Sequence, residues 1–385
     1  MKPAGTTKAD TPLKIGLVLD TTLDSDDGVQ QYVKTLGAWL VNRGHRVHYI
    51  TGSSRLTSLS GGQVHSVGRN LTIRFNGNLV NLPLWSRATA LKRLKSEHFD
   101  LLHVQLPHSP LLAHRLVRAA PAATAVVGTF HILPAGPAQA AAARFLRRLY
   151  GGLERFDDML AVSPAAAAFA RRAFGLECAV LPNVVDVSQF AAGRQTDATK
   201  PRRLVFLGRL VPRKGALELL RAFALLADRH SDIELLMAGD GPQRGRLQRF
   251  ISQHRLESRV SLLGRVSEAD KPGLLGNARL AIFPSLYGES FGIVLLEAMA
   301  AGAEVVVGGD NPGYRSVLGD RPQTIVRPRD TAALANQLET LLADDRLREE
   351  LHAWQQKLVR RFDVNEVGPL IMARYRRAIA QRAAS

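Results

Sequence analysis

The sequence predicts an α/β protein built from two doubly wound, Rossmann-like domains of parallel strands that face each other across a cleft. The chain has 385 residues, enough for two domains of about 100–200 residues each. Short apolar runs alternate with amphipathic helical patterns in both halves, which is the arrangement of β-α-β units. A polar segment at 191–202 separates the halves and is predicted to be a linker. The two domains are therefore expected at 14–190 and 203–362.

Composition narrows the class of protein. Hydrophobic residues make up 46% of the chain, which supports two full cores, and the net charge is +17. Such a charge favours an acidic partner, which could be a nucleic acid, an anionic lipid surface or a phosphate-rich substrate. Aromatic residues are only 6% of the chain and no nucleic-acid-reading motif accompanies the basic residues. A specific nucleic-acid partner is therefore not predicted.

Cysteine content and hydropathy indicate a cytoplasmic protein. Cys178 is the only cysteine, which excludes an intrachain disulfide and a thiolate metal cluster and suits a reducing compartment. Residues 1–13 lack an apolar stretch, so they are expected to be a disordered tail rather than a signal peptide. No run approaches the ~20 apolar residues of a membrane-spanning helix. Membrane contact is therefore expected to be peripheral, at the inner face of the plasma membrane.

The N-terminal half begins with a β-loop-α unit. A strand over 14–19 leads into the polar loop 20–27, and Gly28 opens a helix. The loop at the carboxyl end of a first strand is expected to face the ligand crevice. The segment 24–26, Asp-Ser-Asp, could be a D-x-D metal motif. Acids just before a helix also suit its positive N-terminus, so no metal is predicted.

Two later features of this half have two interpretations each. A strand over 125–130 places His131 at its carboxyl end, where a ligand crevice is expected; the alternative is a polar residue on the rim of the sheet. Residues 138–156 combine apolar and basic positions, which is typical of a helix on an anionic membrane and equally of a surface helix packed on the sheet. The basic residues singled out for membrane contact are Arg144, Arg147 and Arg148.

The second half opens with a strand over 203–207 and a basic turn. Gly208 and Arg209 end the strand, and Lys214 follows shortly. A glycine lets the backbone approach an anion closely, while the guanidinium and ammonium groups supply donors and charge. A plain basic turn is the alternative. The G-x4-G-K-[ST] spacing of a P-loop is absent.

The most informative stretch is 281–302, where a strand runs through a loop into a helix. Gly292 is predicted in the first turn of that helix, whose free N–H groups and positive dipole end suit a phosphate. Because the helix start would bind the phosphate, Glu289 before the helix and Glu297 within it must bind other groups. Carboxylates accept hydrogen bonds from sugar and ribose hydroxyls. An ordinary helix with one acid at its start and one satisfied glutamate is the alternative.

Together these motifs resemble retaining glycosyltransferase family 4, whose members have the GT-B fold, and most closely its phosphatidylinositol mannosyltransferase branch. The likeness covers nearly the whole chain and is carried by Val-Phe-Leu-Gly-Arg, Pro-Arg-Lys-Gly and Gly-Glu-Ser-Phe-Gly-Ile-Val-Leu, which holds the first glutamate of an E-x7-E element. Thr-Phe-His and Asp-Gly-Val-Gln resemble two N-terminal motifs, but Asp27 stands where the family has the first of two glycines. The resemblance also implies that 363–385 is a helix returning to the N-terminal domain.

The resemblance implies a reaction and a set of site residues. The reaction is retaining transfer of a sugar from a nucleotide-sugar donor, with GDP-mannose favoured, to a hydroxyl of a lipid-linked or glycan acceptor, with no required metal or other cofactor. The residues implied in catalysis are His131, Arg209, Lys214 and Glu289. Those implied in donor binding are Gly28, Gly208, Gly239, Val266, Lys271, Ser290, Phe291, Gly292, Ile293, Val294 and Glu297.

Three alternatives stay open. UDP-sugar enzymes share the same diphosphate-binding residues, so a UDP-sugar donor with a soluble acceptor is one. A catalytically weakened nucleotide-sugar-binding protein is the second, and Asp27 supports it. A nicotinamide enzyme is the third, and the absence of G-x-G-x-x-G after the first strand counts against it.

Overall fold

The computed structural model of the chain describes residues 11–25, 27–75, 78–86, 96–107, 109, 112–133, 153–191, 202–319 and 321–384, with only the backbone described over 69–86. Two parallel sheets flanked by helices confirm the predicted α/β class with two Rossmann-like domains. The predicted membrane residues Arg144, Arg147 and Arg148, the tail over 1–10 and most of the predicted linker lie outside the described residues. The domain bounds therefore stay predictions.

The N-terminal half is organised around one large sheet. Its described strands are Lys14–Leu19 (β1), Arg46–Thr51 (β2), Ser58–Leu59 (β3), Gly62–Ser66 (β4), Gly68–Phe75 (β5), Asn78–Ser86 (β6), Leu101–Gln105 (β7), Ala125–Phe130 (β8), Asp158–Ala161 (β9) and Ala179–Val180 (β10). Eight of them form the sheet β10-β9-β8-β7-β1-β2-β4-β3, which is parallel except for β3 against β4. The strands β5 and β6 form a separate antiparallel hairpin. Every residue of β7 and β8 is buried, as expected for apolar strands covered on both faces.

The C-terminal half repeats this plan in a smaller sheet. Its described strands are Arg202–Leu207 (β11), Ile233–Ala238 (β12), Val260–Gly264 (β13), Leu280–Phe283 (β14), Val305–Gly309 (β15) and Ile325–Val326 (β16). They are all parallel, in the order β13-β12-β11-β14-β15-β16. The strand order reverses between β11 and β14, and in the first sheet between β1 and β7. Ligands of doubly wound sheets bind at the carboxyl ends of the strands at such reversals.

Helices connect most of the parallel strands. The described α-helices are Gly28–Asn42 (α1), Leu112–Ala119 (α2), Pro164–Phe174 (α3), Val187–Phe190 (α4), Ala216–Ala227 (α5), Arg244–Gln253 (α6), Lys271–Gly276 (α7), Ile293–Ala300 (α8), Pro312–Leu318 (α9), Thr331–Ala343 (α10), Asp345–Arg360 (α11) and Val364–Ala383 (α12). Local signals set several of their starts. The Ser163 side chain, for example, accepts a hydrogen bond from the Ala166 N–H, and Pro164 follows as the first helical residue.

The last helix returns to the N-terminal half. It packs against α1 and β8, and the guanidinium of Arg374 donates two hydrogen bonds of 2.6 Å to the Asp158 carboxylate. The helix lies within the segment 363–385 predicted for it. The helix begins at Val364 because the Asp363 side chain caps it by accepting from the Asn365 N–H.

The two halves also share an apolar core. One cluster of buried side chains includes Phe130 and Phe169 from the first half and Leu275, Phe291 and Phe362 from the second. This shared core fixes how the strand ends of the two sheets face each other. Among the described helices, none combines the length and the apolar character that crossing a bilayer requires.

Candidate active site

The centre of the site is the turn between β14 and α8. Gly292 is the N-cap of α8 rather than a residue of its first turn, with φ of 127°, a conformation that favours glycine. A Cβ at this position would lie 2.6 Å from the Tyr314 ring. No side chain caps α8, and its first turn contains no acid. The helix therefore presents backbone N–H groups and a positive dipole end to the site, as the phosphate prediction requires. The predicted residues Phe291, Ile293 and Val294 flank this start, with Phe291 buried.

Glu289 lies between two cations. Its Oε1 atom is 2.7 Å from Arg213 Nη1 and 2.8 Å from Lys214 Nζ, and all three side chains are less than a fifth exposed. Burial raises the pKa of Glu289, but the charges of Lys214 and Arg213, with hydrogen bonds from Lys214 and Ser285, outweigh burial and leave that pKa below its usual value. Burial also lowers the pKa of Lys214, against the opposing effect of Glu289. The predicted pair Lys214 and Glu289 is thus brought together, with Arg213 as a third member.

A close contact between two loops assembles this group. Gly215 has φ of 72°, and a Cβ there would lie 2.0 Å from the carbonyl oxygen of Pro284. The Leu286 N–H donates to the Arg213 carbonyl at 2.8 Å. Only glycine at 215 permits this approach without strain, so the basic turn after β11 lies directly against the loop that carries Glu289.

The predicted glycines after β11 and β12, Gly208 and Gly239, likewise allow two segments of backbone to approach closely. Gly239 has φ of 133°, and a Cβ there would lie 1.9 Å from the Gly208 carbonyl oxygen. The Gly208 N–H donates to the Ala238 carbonyl at 2.9 Å. The two strand ends are therefore in direct backbone contact beside the cleft.

Arg209 faces the N-terminal half. Its Nε atom is 3.6 Å from the Asp27 Oδ1 atom, and Asp27 is the N-cap of α1. Next to it, a Cβ at Gly28 would lie 3.5 Å from the Ile293 side chain. The starts of α1 and α8 therefore meet across the cleft, and the residue that replaces the family's glycine contacts the predicted phosphate-binding arginine.

Glu297 and Lys271 form a second buried group. Lys271 Nζ is 3.6 Å from Glu297 Oε1 and 2.6 Å from Glu268 Oε1, and the Lys271 and Glu297 side chains are less than a tenth exposed. Val266 lies in the loop after β13 and is partly exposed. The structure thus places the lysine and the glutamate predicted for the nucleoside next to each other.

His131 contacts the C-terminal half through its backbone. The Ser290 hydroxyl donates to the His131 carbonyl oxygen at 2.5 Å, so Ser290 closes the cleft at this point. The imidazole is buried; its Nε2–H donates to Gln105 Oε1 at 2.6 Å, and its ring lies 4.9 Å from that of Tyr32. Burial lowers the pKa of His131 to about 3, with a hydrogen bond to Asn183 opposing the shift. The imidazole is therefore neutral, and its predicted contact with a donor sugar stays a prediction.

The sequence reasoning missed several of these residues. Arg213 belongs to the Pro-Arg-Lys-Gly motif, which could have singled it out. Gln105 and Asn183 hold the imidazole of His131 but lie in separate segments with no local signal. Asp20 directly follows β1 and is buried. Its Oδ1 atom accepts from the Ala113 N–H at 2.6 Å, and burial raises its pKa to about 6, against hydrogen bonds from Ser109 and Ala113.

A cavity of about 300 Å³ adjoins Glu289 between the halves. The N-terminal half lines it with Leu133, Phe169 and Arg172, and the C-terminal half lines it with residues 286–289 and 310–312. Arg172 is exposed and has no acidic partner among the described residues. The cavity thus offers apolar walls, a cation and carboxylates next to the predicted sugar-binding glutamate.

The Asp24 carboxylate accepts hydrogen bonds from a neighbouring loop of the N-terminal half. It accepts from the Ser54 hydroxyl at 2.5 Å and from the Arg55 N–H at 3.0 and 3.1 Å. Across the described residues, no group of three or more histidine, cysteine, aspartate or glutamate side chains has a metal-binding arrangement. Asp24 therefore has a local structural role in this loop.

Two family models match the chain and together span most of it. The model described as glycosyltransferase family 4 matches residues 27–189, and the model described as glycosyl transferases group 1 matches residues 189–357. The first match covers the half that contains His131, and the second covers the half that contains the group around Glu289.

Curated relatives match over nearly the full length. Phosphatidyl-myo-inositol mannosyltransferase of Mycolicibacterium smegmatis is 33% identical over 370 residues, which cover 94% of this chain and 93% of the relative. The protein of the same name from Mycobacterium tuberculosis is 33% identical over 378 residues, covering 94% and 96%. A third, from Propionibacterium freudenreichii, is 29% identical, covering 94% of each chain.

Solved structures match in fold. A glycosyltransferase from Rickettsia africae has a TM-score of 0.73 at 17% identity and covers 96% of this chain and 99% of its own. Anabaena HepE, solved in complex with UDP and glucose, has a TM-score of 0.72 at 18% identity, with coverage of 94% and 98%. The matches in sequence and in fold thus include both halves and the cleft between them.

Proposed function

The chain belongs to glycosyltransferase family 4, with the GT-B fold, and on this basis we propose that it transfers mannose from GDP-mannose to a hydroxyl of a lipid-linked acceptor. The observation that carries the proposal is the group of Arg209, Arg213 and Lys214 beside the uncapped start of α8. Three cations and a helix N-terminus at the carboxyl ends of parallel strands suit a diphosphate. The name of the relatives at 33% identity favours mannose and a lipid acceptor.

The chemistry proposed for these groups is electrostatic. When the bond between the sugar and the diphosphate breaks, negative charge grows on the leaving phosphate. In this proposal Arg209, Lys214 and the N–H groups at the start of α8 stabilise that charge, with no metal as a required cofactor. Removal of one such donor typically lowers the rate by about 10²–10³-fold.

The two glutamates are proposed to bind hydroxyl groups. Glu289, ionised beside its two cations, would accept hydrogen bonds from the sugar, and Glu297 from the ribose. We propose retention of anomeric configuration by attack of the acceptor hydroxyl on the same face as the leaving group. The neutral imidazole of His131, held by Gln105 and Asn183, would orient the donor sugar and not act as an acid.

The acceptor is proposed to enter through the cavity beside Glu289. Its apolar walls and the Arg172 guanidinium suit a headgroup that carries hydroxyls and a phosphate. A net charge of +17 favours peripheral contact with an anionic membrane, where such an acceptor resides. We extend this proposal to the inner face of the plasma membrane, with Arg144, Arg147 and Arg148 as contact residues.

Two other functions are favoured by specific observations. A UDP-sugar donor suits the same cations, and the HepE structures were solved with UDP. A weakened nucleotide-sugar-binding protein is favoured by the contact of Asp27 with Arg209, because a carboxylate next to the diphosphate site opposes the donor.

The test is a donor panel followed by a transfer assay. Calorimetric binding of GDP-mannose, UDP-glucose, GDP and UDP would identify the nucleotide. Transfer of labelled sugar to phosphatidylinositol vesicles in EDTA would then test the acceptor class and metal independence. Binding without transfer to any lipid or soluble acceptor would favour the binding protein, and absence of all nucleotide binding would overturn the proposed function.

A further inference from the structure

The contact between Asp27 and Arg209 joins the two halves at the predicted diphosphate site. The Asp27 carboxylate belongs to the loop after β1, and the Arg209 guanidinium to the turn after β11, so 182 positions of chain separate the two residues. Their charged atoms are 3.6 Å apart, and both side chains are between a third and just over a half exposed. Asp27 is the one acid within ion-pair distance of Arg209 among the described residues. A water-accessible pair of this kind can exchange partners readily.

The position of Asp27 at the start of α1 gives its carboxylate a second possible partner, the N–H groups of the first helical turn. Asp27 is the N-cap of α1 with extended backbone (φ −72°, ψ 161°), and its side chain makes no capping hydrogen bond. Aspartate is among the preferred N-cap residues because its carboxylate accepts from the free N–H groups of the first turn. In this structure the carboxylate contacts Arg209 instead. Moving to the cap would replace one favourable interaction with another, so release from Arg209 is energetically easy.

We propose that Asp27 sets the affinity of the site for the nucleoside diphosphate part of the donor. Without donor, its carboxylate occupies Arg209 as an internal anion; when donor binds, the diphosphate takes Arg209 and the carboxylate turns to cap α1. This inference rests on the proposed function, since it assumes that Arg209 binds the diphosphate. After transfer, the carboxylate can return to Arg209 and compete with the product diphosphate for this partner.

The test compares binding of GDP and of UDP by calorimetry to the parent and to Asp27→Asn. Asparagine is also a good N-cap but has no charge, so it removes the competitor for Arg209 and keeps the helix start. We expect the variant to bind the preferred diphosphate about 3- to 10-fold more tightly at low salt, with the gain shrinking as salt rises. Asp27→Gly, which restores the residue typical of the family, should show a gain of the same sign.

Two controls isolate the mechanism. In an Arg209→Ala background the gain from Asp27→Asn should disappear, because the carboxylate no longer competes for a partner. Asp330→Asn makes the same change at another helix N-cap, where the Asp330 side chain accepts from the Ala333 N–H at 3.0 Å, and should leave binding unchanged. Unfolding in urea with and without GDP gives a second readout of affinity that does not depend on heat of binding.

The outcomes separate this inference from the proposed function. A parent that binds GDP or UDP with the same affinity as Asp27→Asn, or more tightly, would overturn the role of Asp27 and leave the proposed function standing. A gain that persists in the Arg209→Ala background would also overturn it. Absence of binding of both nucleotides to the parent and to the variant would overturn the proposed function and this inference together.

Discussion

Replacing Glu289 with glutamine should destabilise the protein and slow sugar transfer while leaving the nucleoside diphosphate site intact. The carboxylate is the shared partner of Arg213 at 2.7 Å and Lys214 at 2.8 Å, in a group that is largely buried. Removing one member of a buried ion pair typically costs about 3–5 kcal/mol, because the remaining charge is left without a partner. Glutamine keeps a hydrogen-bond acceptor, so we expect a loss of about 2–4 kcal/mol in the free energy of unfolding.

Urea denaturation with and without GDP measures this effect. GDP at 100 times its Kd should add about 2.7 kcal/mol to the parent, and at least as much to the variant, because its phosphates can pair with the freed cations. Transfer should fall by about 10- to 100-fold, since a hydrogen bond between a carboxylate and a hydroxyl is worth about 1.5–3 kcal/mol. The variant should therefore transfer sugar more slowly than the parent while binding GDP at least as tightly.

The matched control is Glu339→Gln. Glu339 also contacts two basic side chains, with Oε2 2.6 Å from Arg229 Nη1 and Oε1 3.3 Å from His230 Nε2, but it lies at the surface in α10, which contributes no residue to the site. Water screens such a pair, so the control should leave both the unfolding midpoint and the transfer rate nearly unchanged. Parent-like stability and parent-like transfer in Glu289→Gln would refute the reasoning.

Three further predictions follow from other parts of the structure. Because burial raises the pKa of Asp20 to about 6, the folded state binds its proton more tightly than the unfolded state, and stability falls as pH rises from about 4 to 6, by about 3 kcal/mol from this group; Asp20→Asn should gain stability over the parent across that window in urea titrations, and parallel curves would contradict this. Arg172→Glu should raise the KM for a phosphate-bearing lipid acceptor at least tenfold without changing GDP affinity, with Arg172→Lys as the control; an unchanged KM would exclude the cavity as the acceptor site. Tyr375→Phe should lower the free energy of unfolding by about 1–2 kcal/mol, because the Tyr375 hydroxyl lies 2.6 Å from the buried Nδ1 atom of His103; unchanged stability would contradict the importance of this contact.

Most of the fold could be predicted because its elements have strong local signals. In the second half the strand predicted over 203–207 agrees with β11 to within one residue, and the strand predicted at the start of 281–302 agrees with β14 to within one residue. Both are short, largely apolar runs, and Gly208 follows the first and Pro284 the second. The starts of α8 and α12 differ slightly from the predicted positions, since the capping residue decides them and helix termini tolerate shifts of one or two residues.

The site could be predicted only where its residues share a motif. Glu289, Gly292 and Lys214 stand in segments whose patterns indicate anion binding on their own. The pairing of Lys214 with Glu289 could not be predicted, because 75 positions of chain separate them and the contact depends on Gly215 approaching the Pro284 carbonyl. The neutral state of buried groups such as His131 depends in the same way on which segments cover them.

The ion pairs of the site explain why acids lie beside the groups proposed to bind a diphosphate. A cation removed from water without a counter-ion is costly, so a cleft that closes without ligand needs internal anions; here Glu289 serves the largely buried Lys214, and Asp27 contacts the partly exposed Arg209. A diphosphate can replace both acids as the partner of the cations. The displaced Glu289 then needs donors, and sugar hydroxyls supply them. A ligand must therefore bring negative charge and hydroxyls together to satisfy every group at once, which favours a sugar nucleotide over inorganic diphosphate or a free sugar.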